Sequence, residues 1–513
     1  MINYFPVSFK STILRTYFSL RSRAVERFRR HPAATQREQL ERLLRECAHT
    51  AFGQRYGFEE IRTPEAFAQR VERFDYDTFR PYIDRMLAGE RDVTAPGRVR
   101  WFARSSGTTS DRSKYLPVTD ASLRRCHTRG LRDVATFYVG QYPSTRVFEG
   151  KTLTLGGSCS AHDGVVAGDL SALLVERTPF WSGWFRAPRR ATALLSDFDE
   201  KVERICRECA SEPITAFAGV PSWNLALLRR MVECTGRRNL CEVWPRLELF
   251  AHGGVGFEPY RAAFRELIPS DGMHYMETYN ASEGFFAIAD DASRDDMLLM
   301  LDYGTYYEFR DGDEVVPLEG VRRGGRYALL ISSCNGLWRY EPGDVVEFTA
   351  TDSYRIRVAG RTRQFINAFG EELVMENAER AVTAAAAAAG AVVAEYTAAP
   401  RYMTLRERGA HEWIVEFHRA PERYETFAGA LDRELMRLNS DYEAKRRSTM
   451  APPVLHVVPA GTFDRWMLRR RKNKVPRLSN DRRVLEDVLA TMVPRGEAAG
   501  VRTCLLYTSP SPR

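Results

Sequence analysis

ITAFAGVPSWNLALLRRMVECTGRRNLCEVWPRLELFAH, residues 214–252, is the stretch that decides the fold. Residues 214–219 are apolar or small and read as a buried strand. Apolar residues then recur at helical spacing over 223–232, and a second apolar run follows at 247–252. Strand, helix and strand joined by short polar connections form the repeating unit of a parallel sheet covered by helices. The pattern extends upstream, with strand-like residues at 151–156 and a helical pattern over 196–209, so a doubly wound α/β layer is expected.

Outward from this layer the texture changes twice. Helical periodicity over 35–47 and 64–86 opens the chain, and a short strand at 98–102 leads into Ser105-Ser106-Gly107-Thr108-Thr109-Ser110. Downstream, 303–309 and 314–318 flank Asp311-Gly312, a dipeptide suited to a tight hairpin, and strands at 327–332 and 344–348 continue a β meander. After Arg361 come a helix at 372–389, strands at 390–396 and 413–417, a helix at 422–440 and a strand at 454–458. The expected fold class is α/β: a large N-terminal α/β domain with a β meander (1–362) and a smaller C-terminal α+β domain (363–495). A tail over 496–513 completes the chain. From Cys504 (CLLYTSPSPR) it matches the translated sequencing adapters found on some reading frames and is not expected to be native.

Composition narrows the function. With 513 residues, 44% hydrophobic and 28% charged, the chain is ordinary globular material. Basic residues number 75 against 67 acidic ones, a net charge of +8 spread along the chain, which calls for an anionic substrate and no nucleic acid. Nine cysteines, an odd number, argue against a disulfide framework; Cys206-x-x-Cys209 sits in a helical pattern without a second pair and reads as thiols, not zinc. No apolar run is long enough to span a membrane and residues 1–20 lack a signal-peptide pattern, so a cytoplasmic protein with no membrane partner is expected.

Five short strings can carry chemistry, one of them Gly360-Arg361, where the β meander gives way to the small domain. The loop Ser105 to Thr109, with Lys114 beyond it, lacks the Walker ending but places backbone N–H groups, hydroxyls and a cation where phosphate oxygens could sit; a plain surface loop is the competing reading. In Tyr279-Asn280-Ala281-Ser282-Glu283-Gly284, Glu283 beside Ser282 could hold Mg²⁺ through oxygen, and Tyr279 could stack on a base; a strand end with a surface glutamate would look the same. Asp344, after Glu341-Pro342-Gly343, could accept both hydroxyls of a ribose or simply cap a Pro-Gly turn. Lys474, in Lys474-Val475-Pro476-Arg477, stands in a rigid segment that could reach an active site.

Taken in order, these strings resemble the adenylate-forming superfamily and, within it, the Gretchen Hagen-three family of auxin-responsive acyl acid amido synthetases. The resemblance runs from FGQRYGF (52–58) through Pro81-Tyr82-Ile83, SSGTTSDRSKYLPVT (105–119), GVPSW (219–223), YNASEG (279–284), LWRYEPGDVVEF (337–348), GRTRQFINAFGEEL (360–373) and NSDYE (439–443) to KVPR (474–477). It implies a ligase that uses ATP and Mg²⁺ to adenylate a small carboxylic acid and then joins the acyl group to an amine, in this family usually that of an amino acid, through a carbon–nitrogen bond. An acyl-CoA ligase, or an idle binder of nucleotide or acyl acid, is the alternative.

Residue by residue, the resemblance assigns Ser105, Ser106, Thr108 and Thr109 to phosphate and Tyr279 to adenine. Ser282 and Glu283 go to the α-phosphate and Mg²⁺, Asp344 to ribose, and Arg361 to the nucleotide near a hinge at 362–364. Lys474, with Lys472 as its substitute, would arrive from a mobile C-terminal domain, and a monomer is implied. Two departures stand out: Glu341 and Pro342 replace the basic and aliphatic residues of plant members, adding negative charge beside the nucleotide, and Asp111 replaces a glycine of the wider superfamily.

Overall fold

The computed structural model describes residues 21–106, 113–178, 183–361, 364–471, 474–491 and 502–505; of residues 106 and 502–505 it describes the backbone. Thr108, Thr109, Lys472 and two of the three expected hinge positions, 362 and 363, lie outside the described residues. A sheet of 12 strands is the spine. Its parallel part runs His274–Ala281, Leu249–Gly253, Ile214–Gly219, Lys151–Thr154 and Arg186–Ala187. Its antiparallel part continues from Gly284–Ile288 through Met297–Leu299, Arg355–Arg361, Asp344–Ala350, Arg326–Ser333 and Thr305–Asp311 to Glu314–Pro317. The strand His274–Ala281 is the seam, parallel to Leu249–Gly253 and antiparallel to Gly284–Ile288. The YNASEG string therefore lies where the α/β layer meets the meander.

Local chemistry explains the elements. Ile214–Gly219 is buried over its first four residues, as a strand covered on both faces must be. The helix Pro221–Thr235 opens on a proline, which needs no N–H partner there, and closes on Gly236 at φ 64°. Cys206 and Cys209 are buried free thiols on the helix Phe198–Cys209, which Asp197 caps. Among the described residues, no helix is long and apolar enough to cross a membrane.

Two stretches differ from the expected pattern. Residues 113–118 form a strand, Ser113–Val118, antiparallel to Trp101–Ser106. Its Pro117 is tolerated because the strand is an edge of a separate four-stranded sheet. The helix expected over 422–440 is two helices, Tyr424–Leu438 and Ser440–Ser448, broken at Asn439. That residue is extended (φ −137°, ψ 112°), and its side chain accepts from the N–H groups of Asp441 and Tyr442. An asparagine that can cap a new helix competes with continuation of the old one. The last sheet, Val392–Arg401, Ala410–Arg419 and Val454–Val458, gains Arg502–Leu505 as an edge strand, across the point where the adapter-like string begins.

Among the described residues two large hydrophobic clusters, with a small third around Ile414, Phe463 and Trp466, hold the chain together. In the first, Phe52 packs on Tyr56, Phe58, Phe74, Phe79, Tyr82 and, at 5.9 Å between centroids, Trp338, so the FGQRYGF and Pro81-Tyr82-Ile83 strings are a seat for LWRYEPGD. In the second, Leu225, Phe250 and Phe264 of the parallel part share one core with Ile366, Phe369, Leu373 and Trp413. Trp338 is fully buried and its Nε1 donates to the Thr94 carbonyl at 3.0 Å. Trp338→Ala is expected to lower stability by about 3–5 kcal/mol. Trp338→Phe, which keeps a ring and orphans one carbonyl, should cost about 1–3 kcal/mol; denaturant midpoints for the three proteins check the order.

Candidate active site

The seam strand carries Tyr279, whose ring packs edge-on against Phe286 at 4.9 Å and whose hydroxyl donates to Asp344 Oδ2 at 2.6 Å. Asp344 begins the strand Asp344–Ala350 directly after Gly343, which sits at φ 94°. A left-handed residue at that point turns the chain from the LWRYEP loop into the sheet, which glycine does without steric cost. The loop is anchored upstream: buried Arg339 grips Glu308 with two bonds of 3.0 and 2.9 Å and donates to the carbonyls of Ala68 and Val71. Asp344 is thereby presented from a rigid frame.

Arg361 lies opposite Asp344 in the antiparallel register, and its Nε donates to Asp344 Oδ1 at 2.9 Å. The two ends of its guanidinium turn to Glu372, at 2.8 and 3.3 Å. Burial opposes its charge, but Glu372, Asp344 and Glu283 outweigh that and raise its pKa, so Arg361 is a permanent cation. Glu283 occupies the turn between His274–Ala281 and Gly284–Ile288, its carbonyl held by Asn335 Nδ2 at 2.9 Å. Burial, then the charges of Asp344 and Glu372, push its carboxyl up to about 7, while Lys114 pulls the other way. Ser282 shares that turn.

Lys114 stands opposite Ser105 in the hairpin formed by Trp101–Ser106 and Ser113–Val118, with its ammonium 5.7 Å from the Tyr76 ring centroid. The hairpin brings one end of the serine-rich loop beside the acidic cluster. From the far side Ser440 approaches, its Oγ 2.9 Å from Ser113 Oγ. Tyr279, Glu283, Asp344 and Arg361 are thus brought into one site, with Ser105 and Lys114 on its border. Lys474 is exposed near Arg477, whose backbone N–H donates to Gln364 Oε1 at 2.8 Å, and among the described residues no hydrogen bond or ion pair joins it to the four. The charge of Glu341 is taken by Arg310 at 3.0 and 2.9 Å, with Arg73 at 3.8 Å, so it does not burden Asp344.

Family models match most of the chain: the GH3 family N-terminal domain over 21–273, its central domain over 298–361 and its C-terminal domain over 376–483. The chain belongs to the GH3 family. A putative indole-3-acetic acid-amido synthetase GH3.9 of Arabidopsis thaliana is 25% identical to this GH3 chain over 276 residues, 51% of the chain and 46% of that relative. The chain thus spans about half the length of the curated relative it matches. Among solved structures, a GH3.15 acyl acid amido synthetase superposes with TM-score 0.59 at 16% identity, covering 94% of this chain and 97% of that one. A 2-hydroxyisobutyryl-CoA ligase in complex with 2-HIB-AMP and CoA superposes with TM-score 0.55 at 15% identity over 89% and 91%. These likenesses establish the fold.

Sequence reading missed Glu372, Asn335 and Ser440 as neighbours of this GH3 site. Glu372 had a usable signal in lying within the GRTRQFINAFGEEL string; in the structure it stands at φ 39°, a backbone state unusual for glutamate. The raised Glu283 carboxyl has a consequence for stability. Between its ordinary 4.5 and about 7 the folded chain holds a proton that the unfolded chain has released, so stability falls as pH rises through that window. Glu283→Gln removes this penalty and should raise the melting temperature at pH 8 while leaving it near wild type at pH 4.5. Equal shifts at both values would refute the assignment.

Proposed function

We propose that this chain is an ATP-dependent acyl acid–amido synthetase, forming a carbon–nitrogen bond by way of an acyl-adenylate. The observation that carries the reading is the Tyr279–Asp344–Arg361 chain of bonds, with the Glu283 carboxyl beside it, at the seam of a GH3-family fold. Asp344 accepts the ribose hydroxyls, since a carboxylate offers about four lone-pair sites and, among the described residues, two are bonded to protein. Tyr279, through its bond to Asp344, borders the ribose side of the adenine position. Ser105, Ser106, Thr108, Thr109 and Lys114 bind phosphate oxygens by hydroxyl, backbone N–H and charge.

The residues present suit Mg²⁺. Glu283 offers oxygen, its ionisation is opposed by two carboxylates, and a hard dication would relieve that opposition. Glu283, with Ser282 beside it, would hold the ion, which supplies charge neutralisation on the phosphates. The protein's own part is positioning. The loop hydroxyls and Lys114 fix the triphosphate while the acid carboxylate attacks the α-phosphorus and pyrophosphate leaves; an amine then attacks the activated carbonyl and AMP departs. A carboxylate is a poor electrophile until its oxygen belongs to a phosphate, so the first step prepares the second. Lys474 lies on the surface in this arrangement, and rotation of the C-terminal part about 362–364 brings it to the site. The small acid, the amino acid amine, a cytoplasmic setting and a monomeric enzyme follow from the same reading.

Pyrophosphate release from purified protein, ATP and Mg²⁺ across a panel of small carboxylic acids, with and without pooled amino acids, tests this. Release should depend on the acid, with amide products found by mass spectrometry. Glu283→Ala should lower it about 100-fold or more, and Asp344→Asn should weaken ATP binding about 10-fold. A thioester formed with coenzyme A in place of an amide would replace the amine acceptor, and absence of ATP binding would reject the reading altogether.

A further inference from the structure

The NSDYE string has no part in the scheme above, yet Asn439 is fully buried at the junction of two helices and every polar atom of its side chain is committed. Its Oδ1 accepts from the N–H groups of Asp441 and Tyr442, both at 2.9 Å. Its Nδ2 donates to the carbonyls of Glu371 at 2.9 Å and Glu372 at 3.3 Å. One amide thus starts a helix and pins the backbone of Glu372, which at φ 39° occupies a state that neighbouring bonds must maintain. The side chain of that glutamate holds both ends of the Arg361 fork.

Where the fork is held matters for Asp344. Guanidinium and carboxylate pair most strongly as fork on fork, with two parallel bonds. Arg361 gives Asp344 only its Nε, because its other nitrogens face Glu372. With Glu372 withdrawn, the fork would close on Asp344 and fill the lone pairs that a ribose needs. We propose that Asn439 is a positioning residue for the nucleotide site: by fixing Glu372 it keeps the Arg361 fork off Asp344 and leaves that carboxylate open to ribose hydroxyls. This rests on the reading of Asp344 as the ribose acceptor. The neighbouring Ser440 contacts Ser113, so the junction also touches the strand that follows the serine-rich loop.

The test is titration of the full chain with Mg·ATP and with Mg·2′,3′-dideoxy-ATP, which lacks both hydroxyls. Wild type should bind ATP more tightly, and the ratio of the two affinities measures use of the ribose hydroxyls. Asn439→Asp keeps the helix cap and loses the amide donor; Glu372→Gln leaves the buried junction intact and loosens the grip on Arg361. Each should reduce the ratio about fivefold, the worth of roughly one hydrogen bond, by weakening ATP and sparing the dideoxy analogue. The double variant should lose no more than either single one, since both act through Arg361. A merely structural defect would weaken both nucleotides alike. Variants that bind both nucleotides with the wild-type ratio would overturn the positioning role, and Glu372→Gln decides the matter if Asn439→Asp does not fold. A wild type indifferent to the ribose hydroxyls would overturn the reading of Asp344 and this inference with it.

Discussion

Three carboxylates, Glu283, Asp344 and Glu372, share the field of one half-buried guanidinium and one lysine, and the rest of the site is arranged around that imbalance. Bringing so much negative charge out of water is costly unless each group is paired or its ionisation is suppressed. Asp344 is paired with Arg361, Glu372 takes the remaining donors of the same arginine, and burial together with the charges of these two pushes the Glu283 carboxyl up. A site under this tension favours a ligand that arrives with its own cations. A nucleotide carried with a metal ion meets that requirement, whereas a bare anion would add to the repulsion.

The frame that sustains the tension is largely apolar. Phe52 and Trp338 hold the LWRYEPGD loop from below, Arg339 locks it to the N-terminal helices, and Gly343 turns it so that Asp344 meets Arg361 across two paired strands. None of these residues need touch a substrate. Their work is to hold Asp344 beside Arg361 against the like charges of Glu283 and Glu372.

Much of this was legible in the sequence, and what was not has identifiable causes. The parallel strand Ile214–Gly219 and its helix were readable because buried strands and amphipathic helices have distinct periods, and Asp311-Gly312 marked its hairpin. Tyr279, Glu283, Asp344 and Arg361 were singled out through strings that resemble those of the family, and the fold brings the four together. The strand Ser113–Val118 was hidden by Pro117, which is compatible only with an edge, and edges are a tertiary fact. The break at Asn439 and the role of Glu372 were hidden for a related reason: both depend on contacts between segments far apart in the chain, Asn439 with Glu371 and Glu372, and Glu372 with Arg361.

The second hydrophobic cluster crosses the expected domain boundary. Ile366, Phe369 and Leu373 are packed in the same core as Leu225 and Phe264, while Ser222 donates to the carbonyl of Phe369 at 3.1 Å. Rotation about 362–364 has therefore to part an apolar contact that is closed in this arrangement. The segment Phe365–Val374 is shared by both parts, bonded to Ser222 and Tyr260 on one side and to His411, Asn439 and Asn480 on the other, so recombination between family members with a crossover at Arg361 would cut through a filled core.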